Sequence, residues 1–275
     1  MNKSEQLFVT HITDCGGDPN AELRLKLRTL ATCGVMPEVS KVNNSYEGAT
    51  LILDALDSIR RTRGRVINGI VFGNVASRKD AWGKWLNGTP FGYTYVTIGE
   101  CKILIMSTLA GYMFSFVKKF GLLTEPIRVL DIPNVMDWAV PEGLIEQEDA
   151  LLAINTQFRS FEFQPEAGNW IYSGEKVPVS EEWSSSRVPD MPEFLIAYVD
   201  KFGNCKTTLT DPEQIKDTIY AHIPYTQHLA DVPKNEARWV AGSSGWRKHR
   251  LLEIVINGDS AAEHFKLGSG KSLHR

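Results

Sequence analysis

Three short segments of this chain have residue types and spacings suited to holding a small polar ligand. The first is TDCGGDPN, residues 13–20, in which Asp14 follows the apolar, β-rich run LFVTHIT and Asp18 precedes a leucine-spaced stretch. In open α/β sheets ligands bind beyond the carboxyl ends of the strands, and an acidic residue there can accept both hydroxyls of a ribose. Gly16 and Gly17 let the backbone approach a partner closely. A turn or capping role for Asp14 stands equally open, and Asp18 reads first as a helix N-cap. The second segment is IAYVDKFGNCKTTL, where Asp200 and Asn204 bracket a Lys-Phe-Gly turn. It reads as a hairpin, or as a site in which Phe202 offers an apolar face and Asn204 an amide for a base edge. The third is LLEIVINGDSAAEHFKLGSG. There Asn257, Gly258 and Asp259 form a turn, and Ser260, Ala261 and Ala262 open a helical segment. N–H groups at such a helix start can bind acceptor atoms.

Other chemistries lack their motifs. The six histidines (11, 222, 228, 249, 264 and 274) show no H-E-x-x-H spacing, and the four cysteines (15, 33, 101 and 205) contain no C-x-x-C pair. Neither a metal nor a disulfide framework is expected, and a reducing cytoplasm fits this cysteine usage. Ser243 and Ser244 in AGSSGW are expected in a turn, with no G-x-S-x-G elbow around them. Trp82 and Trp85 share a helical face and read as core rather than as a base-stacking platform. Thirty Lys and Arg against thirty-three Asp and Glu give a net charge of -3, without the basic bias of a nucleic-acid binder. The cluster Arg60, Arg61, Arg63, Arg65 reads as a solvated helix end. No apolar run reaches the roughly 18 residues of a membrane helix, and the opening MNKSEQLFVTHITD lacks the pattern of a signal peptide.

The elements that would position these segments follow from periodicity. LFVTHIT predicts a strand, and AELRLKLRTLATCG a helix with Leu23, Leu27 and Leu30 at helical spacing and Gly34 as its stop. EVSKVNN, VINGIVFGN, YTYVTIG and CKILIMS predict strands; YEGATLILDALDSIRRTRG and AGYMFSFVKKFG predict helices. This alternation implies an α/β domain with a parallel or mixed sheet covered on both faces. EGLIEQEDALLAIN is a further helix, and the polar, Pro- and Ser-rich stretch to about residue 192 is expected to be a linker. FLIAYVD, CKTTLTD, IKDTIYAHI, ARWVAG, LLEIVING and AEHFKLG suggest short strands of a small antiparallel β-barrel or sandwich. The expected organisation is an α/β domain over 1–167, a linker over 168–192 and a β-barrel domain over 193–275.

Taken in order, the three segments resemble one family: the S-adenosylmethionine (SAM) hydroxide adenosyltransferases with the related fluorinase and chlorinase. Thr13, Asp14, Cys15, Gly16, Asp18 and Pro19 resemble its N-terminal Thr-Asp-aromatic-Gly and Asp-Pro run. Tyr198, Val199, Asp200, Phe202, Gly203, Asn204 and Thr208 are similar to its Tyr-Ile-Asp-x-Phe-Gly-Asn segment. Leu252, Glu253, Ile254, Asn257, Ala261 and Ala262 are similar to its closing signature. The resemblance implies SAM bound between the N-terminal domain of one subunit and the C-terminal domain of its neighbour in a homotrimer. Asp14 would hold the ribose diol and Asp18 would lie near the methionine amine. Asn204 and the Asn257–Ala261 turn would meet the adenine, and Ser243 and Ser244 the methionine end. The reaction implied is nucleophilic displacement at the ribose 5′-carbon, with SAM as substrate and no cofactor; a non-catalytic SAM- or adenosine-binding protein is the alternative. The sequence departs from the family where catalytic groups are expected. Phe72, Gly73, Asn74, Val75 and Ala76 stand in place of Asp-Pro-Gly-Val-Gly, and QFRSFEFQP (157–165) is a remnant of Phe-His-Gly-Arg-Asp. No catalytic residue is therefore assigned.

Overall fold

A computed structural model of the chain describes residues 6–62, 67–75 and 88–275. Trp82, Trp85, Arg63 and Arg65 lie outside them.

The N-terminal part is a mixed seven-stranded sheet, β1 (Gln6–Thr13), β2 (Glu38–Lys41), β3 (Ile67–Asn74), β4 (Phe91–Ile98), β5 (Cys101–Thr108), β6 (Ile127–Leu130) and β7 (Glu181–Trp183), in the order β2-β1-β3-β5-β4-β6-β7. β1 pairs in parallel with β2 and β3, and β3 with β5; β4 runs antiparallel to β5 and β6, and β6 to β7. Alternation along β5 shows why these strands read as unbroken apolar runs. Ile103 and Ile105 join the core under α2 (Ser45–Arg60) and α3 (Ser115–Lys119). Leu104 and Met106 join the core on the opposite face, under α4 (Ile132–Ala139), α5 (Gln147–Asn155) and α7 (Gln164–Ser173), which the four-residue α6 (Arg159–Glu162) precedes. Covering both faces of the sheet is the arrangement a buried parallel core requires.

The first helix, α1 (Pro19–Cys33), starts where Asp18 accepts from the amides of Asn20 and Ala21 and ends at Gly34, whose positive φ of 70° forms the left-handed stop. Its leucine stripe faces outward. Leu25 and Thr29 are buried, whereas Leu23, Leu27 and Leu30 are 54, 53 and 40% exposed. Leu25 packs on the inward side, where Thr29 meets His11 of β1, and the half-exposed Arg24 and Arg28 both meet Glu162. Helical spacing marks the leucines as one stripe of α1 without saying which way that stripe turns. The expected 168–192 linker also needs correcting, since it carries the end of α7 and all of β7, the seventh strand of the first sheet. A three-residue edge strand is too short to leave a periodic signal.

The C-terminal part is a separate antiparallel sheet of β8 (Ile196–Val199), β9 (Cys205–Thr207), β10 (Ala237–Trp246) and β11 (His249–Ile256), in the order β10-β11-β9-β8, with α8 (Ala261–Phe265) after it. Among the described residues no ladder joins β10 to β8. Buried Trp239 anchors its core and donates to the carbonyl of Tyr220 at 3.1 Å. IKDTIYAHI, expected as a strand, instead supplies part of a 3-10 helix, Pro212–Asp217, and turns after it. Asp211 caps that helix and Gln214 returns a hydrogen bond to complete a capping box. AEHFKLG forms α8, capped by Ser260. The second sheet sits against α2 of its own chain. Ser244 Oγ donates to Asp54 at 2.7 Å, Arg250 donates to Asp57 at 2.8 Å, and Asn44 at the helix start bonds Ser269 at 3.1 Å.

Candidate functional site

Asp14 stands where the sequence places it, directly after β1, and the ends of three strands fix its turn. Its amide donates to Asn74 O at the end of β3, at 3.0 Å. Thr13 O accepts from Val42 N just beyond β2, at 3.0 Å. Thr13 Oγ1 accepts from Cys15 N at 3.1 Å and from Asn74 Nδ2 at 3.4 Å. Gly16 is required here because a Cβ would lie 2.6 Å from the Lys41 backbone. The close approach these glycines allow is therefore to β2. Beside this turn opens a cleft of about 580 Å³ lined by Asp14, Cys15, Asp18, Arg24, Lys41, Phe158 and Phe161, among others.

The far wall of the cleft comes from residues 157–165, the segment noted as a remnant. Phe158 and Phe161 stack with ring centroids 5.7 Å apart, and the Arg24 guanidinium lies 4.8 Å over Phe161. Arg24 is held in turn by Glu162 at 2.9 Å. The cleft thus combines carboxylates, cations and an apolar aromatic face, a lining suited to a polar, partly flat ligand. Burial, then the neighbouring Asp14 charge, push the Cys15 thiol upward, so it stays protonated near neutral pH and is no thiolate nucleophile.

The Phe72 comparison is corrected in one respect. The side chain at 72 does not face the cleft; it is buried in the core, stacked 4.7 Å from His11 and pressed against Gly168. The polar residue that β3 presents beside Thr13 and Asp14 is Asn74, which is 6% exposed. Sequence reasoning also missed Gln164. Its Nε2 donates to Gly73 O at 3.1 Å and Met106 O at 3.0 Å, bridging the ends of β3 and β5, while its buried Oε1 has no partner among the described residues. An amide directly after Phe163 in the aromatic-rich FEFQP was the available signal.

The C-terminal candidates form a second cluster. Asp200 Oδ1 accepts from the amides of Phe202 and Asn204, at 2.9 and 3.0 Å, and Asn204 Nδ2 donates to Asp200 Oδ2 at 3.0 Å. The hairpin reading therefore holds, and its turn leaves Phe202 66% exposed. Gly203 has φ 80° and lies so close to Ser260 that a Cβ would stand 2.1 Å from its hydroxyl; its carbonyl accepts from Ala262 N at 2.9 Å. Phe202, Asn204, Ser260 and Ala261 are thus joined into one corner of the domain. Asn257, in the turn leading there, donates to Val232 O at 2.7 Å. Ser243 and Ser244 lie in β10 rather than in a turn between elements, at a bulge between Ala241 and Gly245. None of the residues lining the Asp14 cleft comes from beyond residue 161. One chain does not bring the two clusters together around that cleft.

Residues 195–274 match the SAM hydroxide adenosyltransferase C-terminal domain. Over those residues the chain resembles that family. Two crystal structures share its fold over nearly the whole length. An uncharacterized conserved protein from Thermotoga maritima is 13% identical with a TM-score of 0.63, covering 96% of this chain and 98% of that one. A conserved hypothetical protein from Thermus thermophilus is 15% identical with a TM-score of 0.55, covering 96% and 97%. A search of curated proteins found no match. The SAM hydroxide adenosyltransferase domain takes in the Phe202–Asn204 corner, the Ser243–Ser244 bulge and the Asn257–Ala261 turn.

Proposed function

We propose that this protein binds SAM with its ribose on Asp14 and displaces methionine from the 5′-carbon. The observation that carries the reading is the Asp14 turn, locked by the ends of β1, β2 and β3 at the mouth of a polar and aromatic cleft, in a chain whose second domain is of a SAM-using family. Such a carboxylate can accept both ribose hydroxyls, and with Asp18 it favours a ligand bearing a sulfonium and an ammonium.

In the reaction a nucleophile's electron pair forms a bond to C5′ as the C5′–S bond breaks. The sulfur takes that bonding pair and leaves as the neutral thioether of methionine. The sulfonium is already a good leaving group, so the protein has mainly to align the nucleophile and strip its water. Asp18 stands by the methionine amine, and Ser243 and Ser244 by the other groups at that end. Phe202 and Asn204 face the adenine, with the backbone of Asn257–Ala261 completing its edge. Asn204 Nδ2 gives one hydrogen to Asp200, and its Oδ1 can accept from an amino group of the base.

The two clusters meet across a subunit boundary, in a homotrimer with each site shared by two chains. Support comes from the Asp14 cleft, which takes no lining residue from the C-terminal part of its own chain. A second reading, a protein that holds SAM without hydrolysing it, is favoured by the polar group at the end of β3: an amide, Asn74, rather than a carboxylate able to take a proton from water.

Calorimetric titration with SAM tests the binding, and light scattering the mass. If Asp14→Ala and Asn204→Ala each abolish binding, their mixture after subunit exchange should recover some intact sites. A monomeric mass, or no recovery despite confirmed exchange, rejects the shared site.

A further inference from the structure

A second hollow, of about 930 Å³, lies between α2 and the edge of the first sheet, and it shares no lining residue with the Asp14 cleft. Strand alternation and register make its floor. Phe8, Thr10 and Ile12 point to one face of β1, and β2 adds Glu38 opposite Thr10 and Ser40 opposite Ile12. One stripe of α2 makes its wall, with Leu51, Asp54, Ala55, Ser58, Ile59 and Thr62 recurring at helical spacing. The hollow exists because α2 packs its buried face on Val71 of β3 and on Ile103 and Ile105 of β5. The β1–β2 edge is left only partly covered.

Two polar groups of this lining lack the partners that burial calls for. Thr10 is 5% exposed, and its hydroxyl makes no hydrogen bond among the described residues, where a buried hydroxyl is ordinarily paired. Half-buried Asp54 is the other. Its Oδ2 accepts from Ser244 Oγ at 2.7 Å, while its Oδ1 accepts from no group of the described residues. Asp57, three residues on, is met by Arg60, Arg61 and Arg250, yet no Lys or Arg of the described residues lies within ion-pair distance of Asp54. Burial raises the Asp54 pKa, against the pull of the Ser244 bond and of the more distant Lys206 and Arg250 charges. Glu38 adds a second carboxylate, and among the described residues no Lys, Arg or His lines the hollow. We propose that this hollow is a binding site for an organic amine, with its ammonium on Asp54, its apolar body against Phe8, Ile12 and Leu51, and Thr10 as a further hydrogen-bond partner. A carboxylate set among apolar side chains favours an ammonium over a neutral donor, because the bond is charge-assisted. A few polar groups in a mainly apolar hollow are the usual lining of a small-molecule site. The site stands whether or not the Asp14 cleft takes SAM.

Hexylamine, hexan-1-ol and hexanoate share one apolar body and differ in head group, so ligand-observed NMR titration of the full chain with each tests the preference. Hexylamine should bind in the millimolar range or tighter, hexanol about tenfold more weakly, and hexanoate not detectably. Asp54→Asn, which can still accept from Ser244, should bring hexylamine down to the hexanol level and leave hexanol within about twofold, since the apolar contacts remain. Thr10→Val, of similar shape, should weaken hexylamine about threefold. Ser58→Trp, at an exposed position on the wall, should fill the hollow and block hexylamine and hexanol alike, with an unchanged thermal midpoint. Equal affinities for the three head groups, or Asp54→Asn without effect on hexylamine, would overturn the proposal. Binding of no probe would overturn it as well, and a fall in mass on Ser58→Trp, measured by light scattering, would then give the hollow to a second copy of the chain.

Discussion

His11 makes a measurable demand on the domain that carries Asp14. Its ring is 1% exposed, 2.8 Å from Thr29 Oγ1 and stacked on Phe72. Burial drives its pKa down from 6.5 to about 3. Because the folded value is depressed, the stabilisation is present above the unfolded pKa and is lost as pH falls from 6.5 towards 3: the unfolded chain takes up a proton that the folded one refuses. Between pH 7 and pH 5 that loss is about 2 kcal/mol, from 1.36 kcal/mol per pH unit over roughly 1.5 units. The other five histidines are exposed, and burial raises the pKa of Asp54, Asp131 and Glu166, contributions common to any His11 variant. His11→Phe keeps a ring against Phe72 and cannot titrate. It should cost about 1 kcal/mol at pH 7 for the lost bond to Thr29, yet lose about 2 kcal/mol less than wild type on going to pH 5. Urea unfolding at both pH values gives the four free energies needed. Parallel losses in the two proteins would refute a neutral, buried His11.

Three further expectations bear on the site and its support. Asp14→Ala should weaken SAM binding ten- to a hundredfold, the cost of about 1.5–3 kcal/mol for a hydrogen bond to a charged group; equal affinities by calorimetry would remove Asp14 from the site. Release of adenosine from SAM in plain buffer should be slow or absent, since losing positioned polar groups commonly costs several powers of ten in rate; rapid, stoichiometric adenosine and methionine from clean protein would contradict this. Gly168→Ala should destabilise the fold by about 1–3 kcal/mol, because its Cβ would lie 2.3 Å from Phe72 Cε1; an unchanged thermal midpoint would show that this layer gives way freely.

The legible parts of this chain were those whose signal is local. β1, its Asp14 turn, the Asp18 cap, α2 and the Asp200–Asn204 hairpin follow from periodicity, capping and turn chemistry within a dozen residues. What escaped depends on partners far away in sequence. α1 turns Leu23, Leu27 and Leu30 outward, and its Arg24 and Arg28 reach Glu162, more than a hundred residues on. β7 is too short to show a period and exists because β6 offers it an edge. The wall of the cleft, Phe158 and Phe161, and the bridging Gln164 belong to a segment whose motif had faded, so only its packing against α1 and β3 reveals its place. Phe72 looked like a lost catalytic position, and its stacking on His11 makes it a core residue.

The claim on which the rest depends is that SAM is bound and attacked at its 5′-carbon, and mass spectrometry of purified protein incubated with SAM tests it most directly. Parallel reactions in water alone and with added chloride, fluoride or other small nucleophiles would be followed for methionine and for every nucleoside formed. The expected result is SAM retained on the protein in water, and methionine released in equal amount with a 5′-substituted adenosine once the right nucleophile is supplied. SAM neither retained nor consumed under any condition, by protein shown to be folded, would contradict it.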